Sequence, residues 1–382
     1  MKVRALQANF QGDRLRQARL ASGLSASTLA ERLNLTRQAI SGFELGKSPS
    51  AETVGLLAKE LKVSETLFFM PMDTQSERLT SGINFRALKK APVFERSKAQ
   101  AYLEWFAYLA GRISRDIELP PVNLPDLYGG QIDALSNDRI DELADELRQF
   151  FGLGFGPIPK LSLLLENNGV LVGHAHLSEG MDGVSAWFNE RPFILVSSHA
   201  NYFRNRMDVG HELGHLVLHR GLTQDDIDQK DFLKLIESQA FRFGAAFLMP
   251  EKTFLPDAYS VDLNHLLALK KKWGVSIQAM IFRLSDLQVI SQHQKQRLFQ
   301  AIASRKWRRI EPLDLETPAD QPMLLKRAAE FSEEQKISLF HEVFLDTKLP
   351  PAFLQSIAGL NEIDLLGKQP DISNILHFRK KL

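Results

Sequence analysis

The chain has no cysteine. Disulfides and thiolate metal sites are thereby excluded, and any metal must sit on histidine or carboxylate ligands. No uninterrupted apolar run approaches the roughly 20 residues that cross a bilayer, and the amino terminus lacks the apolar stretch of a signal peptide. The expectation is a soluble, cytoplasmic protein without a membrane partner. A charge excess is missing too: 47 Lys and Arg stand against 46 Asp and Glu, a net charge of +1. The surface as a whole is therefore no nucleic-acid surface, but residues 1–70 carry ten basic groups against six acidic ones. Any DNA affinity is expected to sit there and to weaken with salt. At 382 residues and 44% hydrophobic content, the chain is long enough for two or three domains with sizeable cores.

Against these absences stands His211-Glu212-Leu213-Gly214-His215. Histidines four apart on a helix share one face and can close on a single zinc ion, and the glutamate between them reaches a metal-bound water. The apolar run Phe193-Ile194-Leu195-Val196 reads as a buried strand before this helix, and Leu216-Val217-Leu218 continues its apolar side until Gly221. Zinc metallopeptidases use that order of strand, loop and helix. A catalytic zinc takes three protein ligands. His219 cannot be the third, because it lies about 12 Å further along the helix axis than His211. It reads instead as a last-turn residue favoured by the helix dipole, or as a donor behind a ligand. Gly221 stands where metzincins place their third histidine, which excludes that class. Glu237 is the better candidate. It shares a stripe with Ala240, Gly244 and Phe247 that faces apolar partners, where a carboxylate needs a cation.

His211 to His219, followed by Glu237-x-x-Ala240-x-x-Phe243-Gly244 and Leu248-Met249-Pro250, resembles the ImmA/IrrE family of bacterial metallo-endopeptidases. The resemblance implies that His211, His215 and Glu237 hold Zn2+ and that Glu212 is the general base. Arg206 matches an arginine that often precedes the zinc helix in that family, whereas Phe241 stands where an Asn or Asp is common. Zincins pair an extended substrate with an edge strand, and Gly183–Phe188 is the candidate here, with Gly183, Val184 and Ser185 as substrate-binding residues. His174, His176 and His199 lie nearby in sequence without a metal-ligand spacing.

The amino terminus carries a second signal. Helices are expected from Arg14, from Leu24 to Leu33, and from Thr36 to Glu44 after a very short turn, with Leu29, Ala30, Leu33, Ile40 and Phe43 as a shared core. Thr36 should cap the third helix and leave Arg37, Gln38 and Ser41 outward, where they can reach base edges in a major groove. Arginine pairs with guanine and glutamine with adenine. With Glu44-Leu45-Gly46-Lys47 following, the segment resembles the XRE family of phage-repressor-like DNA-binding domains. That implies Thr36, Arg37, Gln38, Ser41 and Lys47 as DNA contacts.

The expected architecture is multidomain. An all-α helix-turn-helix domain (1–70) is followed by a helical connector (71–157), an α+β zincin-like metallopeptidase domain (158–310) and a mostly helical extension (311–382). Met72 to Gly82 is polar and reads as a linker, and a helix is expected near Glu333 to Leu345. In the connector, Tyr102, Phe106, Leu109, Ile113 and Ile117 mark an amphipathic helix stopped by Pro120-Pro121. Trp105 and Tyr108 at its edge are expected to pack in a core, or against the catalytic domain or a partner chain. Ser276 should cap a helix near the end of the peptidase region.

Two functions are consistent with these readings. In the first, a DNA-binding regulator controls a stress, prophage or toxin–antitoxin operon by zinc-dependent cleavage of a regulator protein, such as a repressor or toxin. In the second, a repressor or antitoxin uses the peptidase fold only to sense or bind. Both place a homodimer on a double-stranded DNA operator.

Overall fold

Serine and threonine punctuate the helices of the amino-terminal segment. In the computed structural model Ser25, Thr36 and Ser50 each accept a bond from the backbone N–H three residues on, satisfying a donor that every helix start leaves orphaned. The helices are α1 (Gly12–Ala21), α2 (Ala26–Arg32), α3 (Arg37–Glu44) and α4 (Ala51–Leu61). The structure describes residues 9–72, 84–85, 93–127, 132, 135–177, 180–198, 201–222, 230–334, 343 and 345–359. Most of the expected linker, most of the helix expected near 333–345, and His199 lie outside the described residues.

The described residues divide into two compact units. One draws on 1–77, 104–119 and 323–382, the other on 78–103 and 120–322. In the first, Leu15, Ala18, Leu29, Ala30, Ile40, Phe43 and Leu57 form the buried core. Leu33, expected there, is only half-buried because it is the C-cap of α2. Two of the basic residues counted toward a DNA surface are internal. Arg14 is fully buried and donates to Gln17 Oε1 and to the Pro71 carbonyl, while Arg19 pairs through Nε and Nη2 with the two oxygens of Glu44. The second half of α5 (Val93–Ile113) belongs to this unit. There the Trp105 indole donates to Gln17 Oε1 at 2.8 Å and meets the Phe353 ring edge-on, so Trp105 packs in a core.

The second unit is built on a sheet of β1 (Asn84–Phe85), β2 (Leu171–Ala175), β3 (Gly183–Phe188) and β4 (Arg191–Ser197), in the order β1-β3-β4-β2. Strands β3 and β4 form a hairpin whose two turn residues, Asn189 and Glu190, both take positive φ, as the twist of a tight hairpin requires. Strand β2 joins parallel to β4, and β1 antiparallel to β3. Every residue of β2 and β3 is buried, in keeping with a sheet covered by helices. The helices of this unit are α6 (Asn137–Phe150), α7 (Leu161–Asn167), α8 (Tyr202–Leu218), α9 (Lys230–Leu248), α10 (Glu251–Asp257), α11 (Leu263–Trp273), α12 (Ile277–Asp286) and α13 (Gln292–Ser304), of which α7 packs on β2 and α8 on β3 and β4. Ser276 caps α12 as expected, accepting from Ala279 N. In the first unit α14 (Leu324–Glu334) and α15 (Pro351–Ala358) complete the described helices.

Two features set α8 and α9 against each other. A Cβ at Gly244 would lie 2.6 Å from the backbone of Gly210, and one at Gly214 would lie 2.8 Å from the Ala240 carbonyl oxygen. Only glycine permits so close a crossing. The stripe read in sequence as Glu237, Ala240, Gly244 and Phe247 is thus the contact line with α8, and Glu237 falls at its end opposite the histidines.

Candidate metal centre and DNA-reading helix

Helix α8 starts at Asn201, whose side chain accepts from Arg204 N, and is buried along nearly its whole length. Arg206, on its second turn, donates to the carbonyls of Gly274 at 3.0 Å and Ile158 at 2.6 Å, which ties the helix to the loop after α11. The close crossing with α9 then brings three side chains together. His211 Nε2 lies 3.1 Å from His215 Nε2, and Glu237 approaches the first at 3.4 Å and the second at 3.3 Å. Their donor atoms all fall within 4.8 Å of one another, a group that could hold a metal ion. The edges of the triangle test the fit. Ligands about 2.0–2.1 Å from a tetrahedral ion stand about 3.3–3.4 Å apart, and the observed separations lie within about 0.3 Å of that.

The electrostatics agree. Burial alone would raise the Glu237 carboxyl, yet the two histidines facing it hold it well below the usual carboxylate range. A carboxylate kept ionised at an interior site matches the demand for a cation made from sequence. Behind the pair, His219 Nδ1 is 3.0 Å from His215 Nδ1, and His219 Nε2 is 3.1 Å from Gln239 Oε1. Burial, with His215 beside it, pushes His219 down to about 3. His219 is therefore a neutral partner of a histidine in the group, and its Cα stands at the C-cap of α8.

Glu212 is fully buried and turned toward β3. The Ser185 hydroxyl donates to Glu212 Oε2 at 2.7 Å. Gly183 leaves the space the carboxylate occupies, since a Cβ there would lie 2.9 Å from Glu212 Oε1. Both residues were read in sequence as substrate contacts, and the structure places them beside the candidate base. The expectation that Gly183–Phe188 is an open edge needs correction. At Val184 and Ser185 the outer edge pairs with Phe85 and Asn84 of β1, so β3 is an interior strand there. A two-residue strand has no periodicity to betray it in sequence. His174 lies on β2, at the other end of the sheet, with Asn205 3.4 Å away, and His176 meets Ser198. Phe241 lines the metal group on one side, its ring 6.4 Å from that of His211.

In the first unit Thr36 accepts from Ala39 N at 3.1 Å and starts α3, leaving Thr36, Arg37 and Gln38 exposed. Ser41 follows one turn after Arg37 on the same face. Lys47 is exposed beyond the helix, its Cδ folded beside Gly42.

Comparison with known families agrees with this geometry. Residues 15–68 match the model of a helix-turn-helix domain, and residues 165–285 match that of the IrrE N-terminal-like domain of peptidase family M78. The chain joins a helix-turn-helix domain to an IrrE N-terminal-like domain. No curated protein matches it. The helix-turn-helix match is to a DNA-binding type of regulator domain, and the other match is to a metallopeptidase-like one that implies a metal. His211, Glu212, His215 and Glu237 all fall inside the IrrE N-terminal-like domain, and Thr36 to Lys47 inside the helix-turn-helix domain. Among the described residues no helix is long and apolar enough to cross a membrane.

Sequence reasoning missed Gln239 and the true partner of Ser185. A polar residue inside the apolar stretch of α9 was the available signal for the first. The second depends on a strand crossing a helix and left no mark in the sequence.

Proposed function

We propose that the chain is a DNA-binding transcriptional regulator whose IrrE N-terminal-like domain is a zinc-dependent endopeptidase, and that cleavage of a regulator protein switches the operon it controls. The observation that carries this reading is the placement of Glu212, held by Ser185 on the turn of α8 that bears the His211–His215–Glu237 group. His211, His215 and Glu237 would hold the ion, which would supply Lewis acidity toward a peptide carbonyl and make water a usable nucleophile near neutral pH. Glu212 takes a proton from that water as its oxygen attacks the carbonyl carbon. It then returns the proton to the leaving amine as the C–N bond breaks. Ser185, donating to Oε2, keeps the carboxylate oriented through both transfers.

The test separates cleavage from sensing. Glu212→Gln changes a proton acceptor at nearly constant volume, so zinc and DNA binding persist. A Glu212→Gln strain should stay repressed under the stress that derepresses the parent, with no cleaved regulator on a blot. Parent-like induction in that strain, with zinc still bound, would leave a repressor or antitoxin that uses the fold only for sensing.

DNA binding rests on the exposed start of α3. A single recognition helix reads too few base pairs for useful specificity, so a homodimer on an inverted repeat is the form that binds its operator. Arg37→Ala and Gln38→Ala should each weaken operator binding by roughly 1–3 kcal/mol while leaving random-sequence binding nearly unchanged. Fluorescence anisotropy with operator and scrambled duplexes measures both. Equal affinity of parent and variants for the operator would remove these two residues from the readout.

A further inference from the structure

Three aromatic rings lead away from the metal group. Glu237 and Phe241 stand four apart on α9 and so share a face of that helix. The Glu237 side chain is 19% exposed, against 1% for His211 and 0% for His215, so the group opens to solvent on the face that Phe241 flanks. The Phe241 ring is 6.4 Å from that of His211. From it, ring contacts continue to Phe282 of α12 at 5.8 Å and on to Phe299 of α13 at 5.2 Å. These rings stand at the margin of the core: Phe241 and Phe299 are half-buried, and Phe282 is 37% exposed. Lys295 covers one face of Phe282, its ammonium 4.2 Å from the ring centre.

A single exposed phenylalanine is ordinary, whereas a contiguous apolar strip beginning at a polar site marks where a ligand lies. We infer that Phe241, Phe282 and Phe299 form a specificity surface, which selects substrates carrying a large apolar or aromatic side chain next to the scissile bond. The inference rests on the peptidase reading of the metal group. An extended chain advances about 3.3–3.6 Å per residue, so the rings lie within reach of the one to three residues flanking a carbonyl held at the metal. A phenyl or isobutyl group laid on the strip leaves water, and a second ring gains edge-to-face contacts as well. The three rings offer a charged side chain no hydrogen bond, and Lys295 over Phe282 repels a Lys or Arg placed there.

Titration of the zinc-loaded full chain with two pairs of hydroxamates, whose head group chelates zinc, tests this by binding alone. One pair, N-acetylphenylalanine hydroxamate and its alanine counterpart, sets its side chain on the amino-terminal side of the metal. The other, 2-benzylsuccinyl and 2-methylsuccinyl hydroxamate, sets it on the carboxy-terminal side. In one pair or the other the benzyl compound should bind at least about 10-fold more tightly than the methyl compound. Phe241→Ala and Phe282→Ala should each bring that ratio down to about threefold or less, with zinc content and unfolding midpoint measured on each variant. Phe282 is exposed enough that its truncation leaves the fold in place, so this variant decides the matter should Phe241→Ala fail to fold. Equal affinities within both pairs, or a benzyl preference that survives in zinc-loaded Phe282→Ala, would overturn the inference and leave the metal reading standing. A parent that takes up no zinc would sink the metal reading, and this inference would fall with it.

Discussion

Replacing Glu237 with alanine should strip zinc from the purified chain, while Glu212→Gln should keep it at about one ion per chain. The triangle of donor atoms loses a corner in the first variant, leaving two nitrogens 3.1 Å apart to hold the ion without a counter-charge. Losing a ligand outright should cost more than the roughly 10- to 100-fold that follows loss of a partner behind one. His211→Ala and His215→Ala belong to the same class. Glu212 stands outside the triangle, bonded to Ser185, so its amide replacement removes only a proton acceptor. Peptide hydrolysis should then fall by about 10²- to 10⁴-fold at unchanged metal content. Metal analysis after dialysis decides the ligand set, and full occupancy in Glu237→Ala would mean that the third ligand is another residue.

The second large effect concerns stability. Lys270 is fully buried, with Nζ 2.8 Å from Glu311 Oε2 and in contact with Asp314 Oδ1, and lies over the Phe203 ring. Both carboxylates have further partners. Glu311 accepts from Ile277 N and Gln278 N at the start of α12, where the helix dipole favours an anion, and Asp314 accepts from Asn201 and from Glu311 N. Lys270→Met keeps the volume and leaves two buried carboxylates without their cation, so it should destabilise the unit by about 3–5 kcal/mol. Urea unfolding followed by tryptophan fluorescence should show an earlier transition. Adding Glu311→Gln and Asp314→Asn to Lys270→Met should recover part of the loss, because an uncompensated charge costs more than an absent ion network. An unchanged midpoint in Lys270→Met would show that water reaches the cluster.

Local features of the chain specified a good deal. Thr36, Ser276 and the spacing of His211, Glu212 and His215 depend on contacts within a turn or two of helix, and periodicity reports such contacts directly. Glu237 was legible for a similar reason: a carboxylate on an apolar stripe of small residues has to meet a cation, whatever the fold around it. Tertiary structure alone decided the rest. Arg14 and Arg19 read as surface charge and are internal, since only packing reveals the Met70 and Pro71 carbonyls and the Glu44 carboxylate that receive them. Strand β3 read as a free edge, but β1 is too short to announce itself. Glu311 and Asp314 stood in a segment without a motif and belong to the buried anchor of Lys270, a pairing across about 40 residues. The bond from Ser185 to Glu212 and the contact of Gln239 with His219 likewise join distant positions. Helix and cap signals are short-range and survive in a linear sequence, whereas hydrogen bonds between elements exist only once the elements are packed.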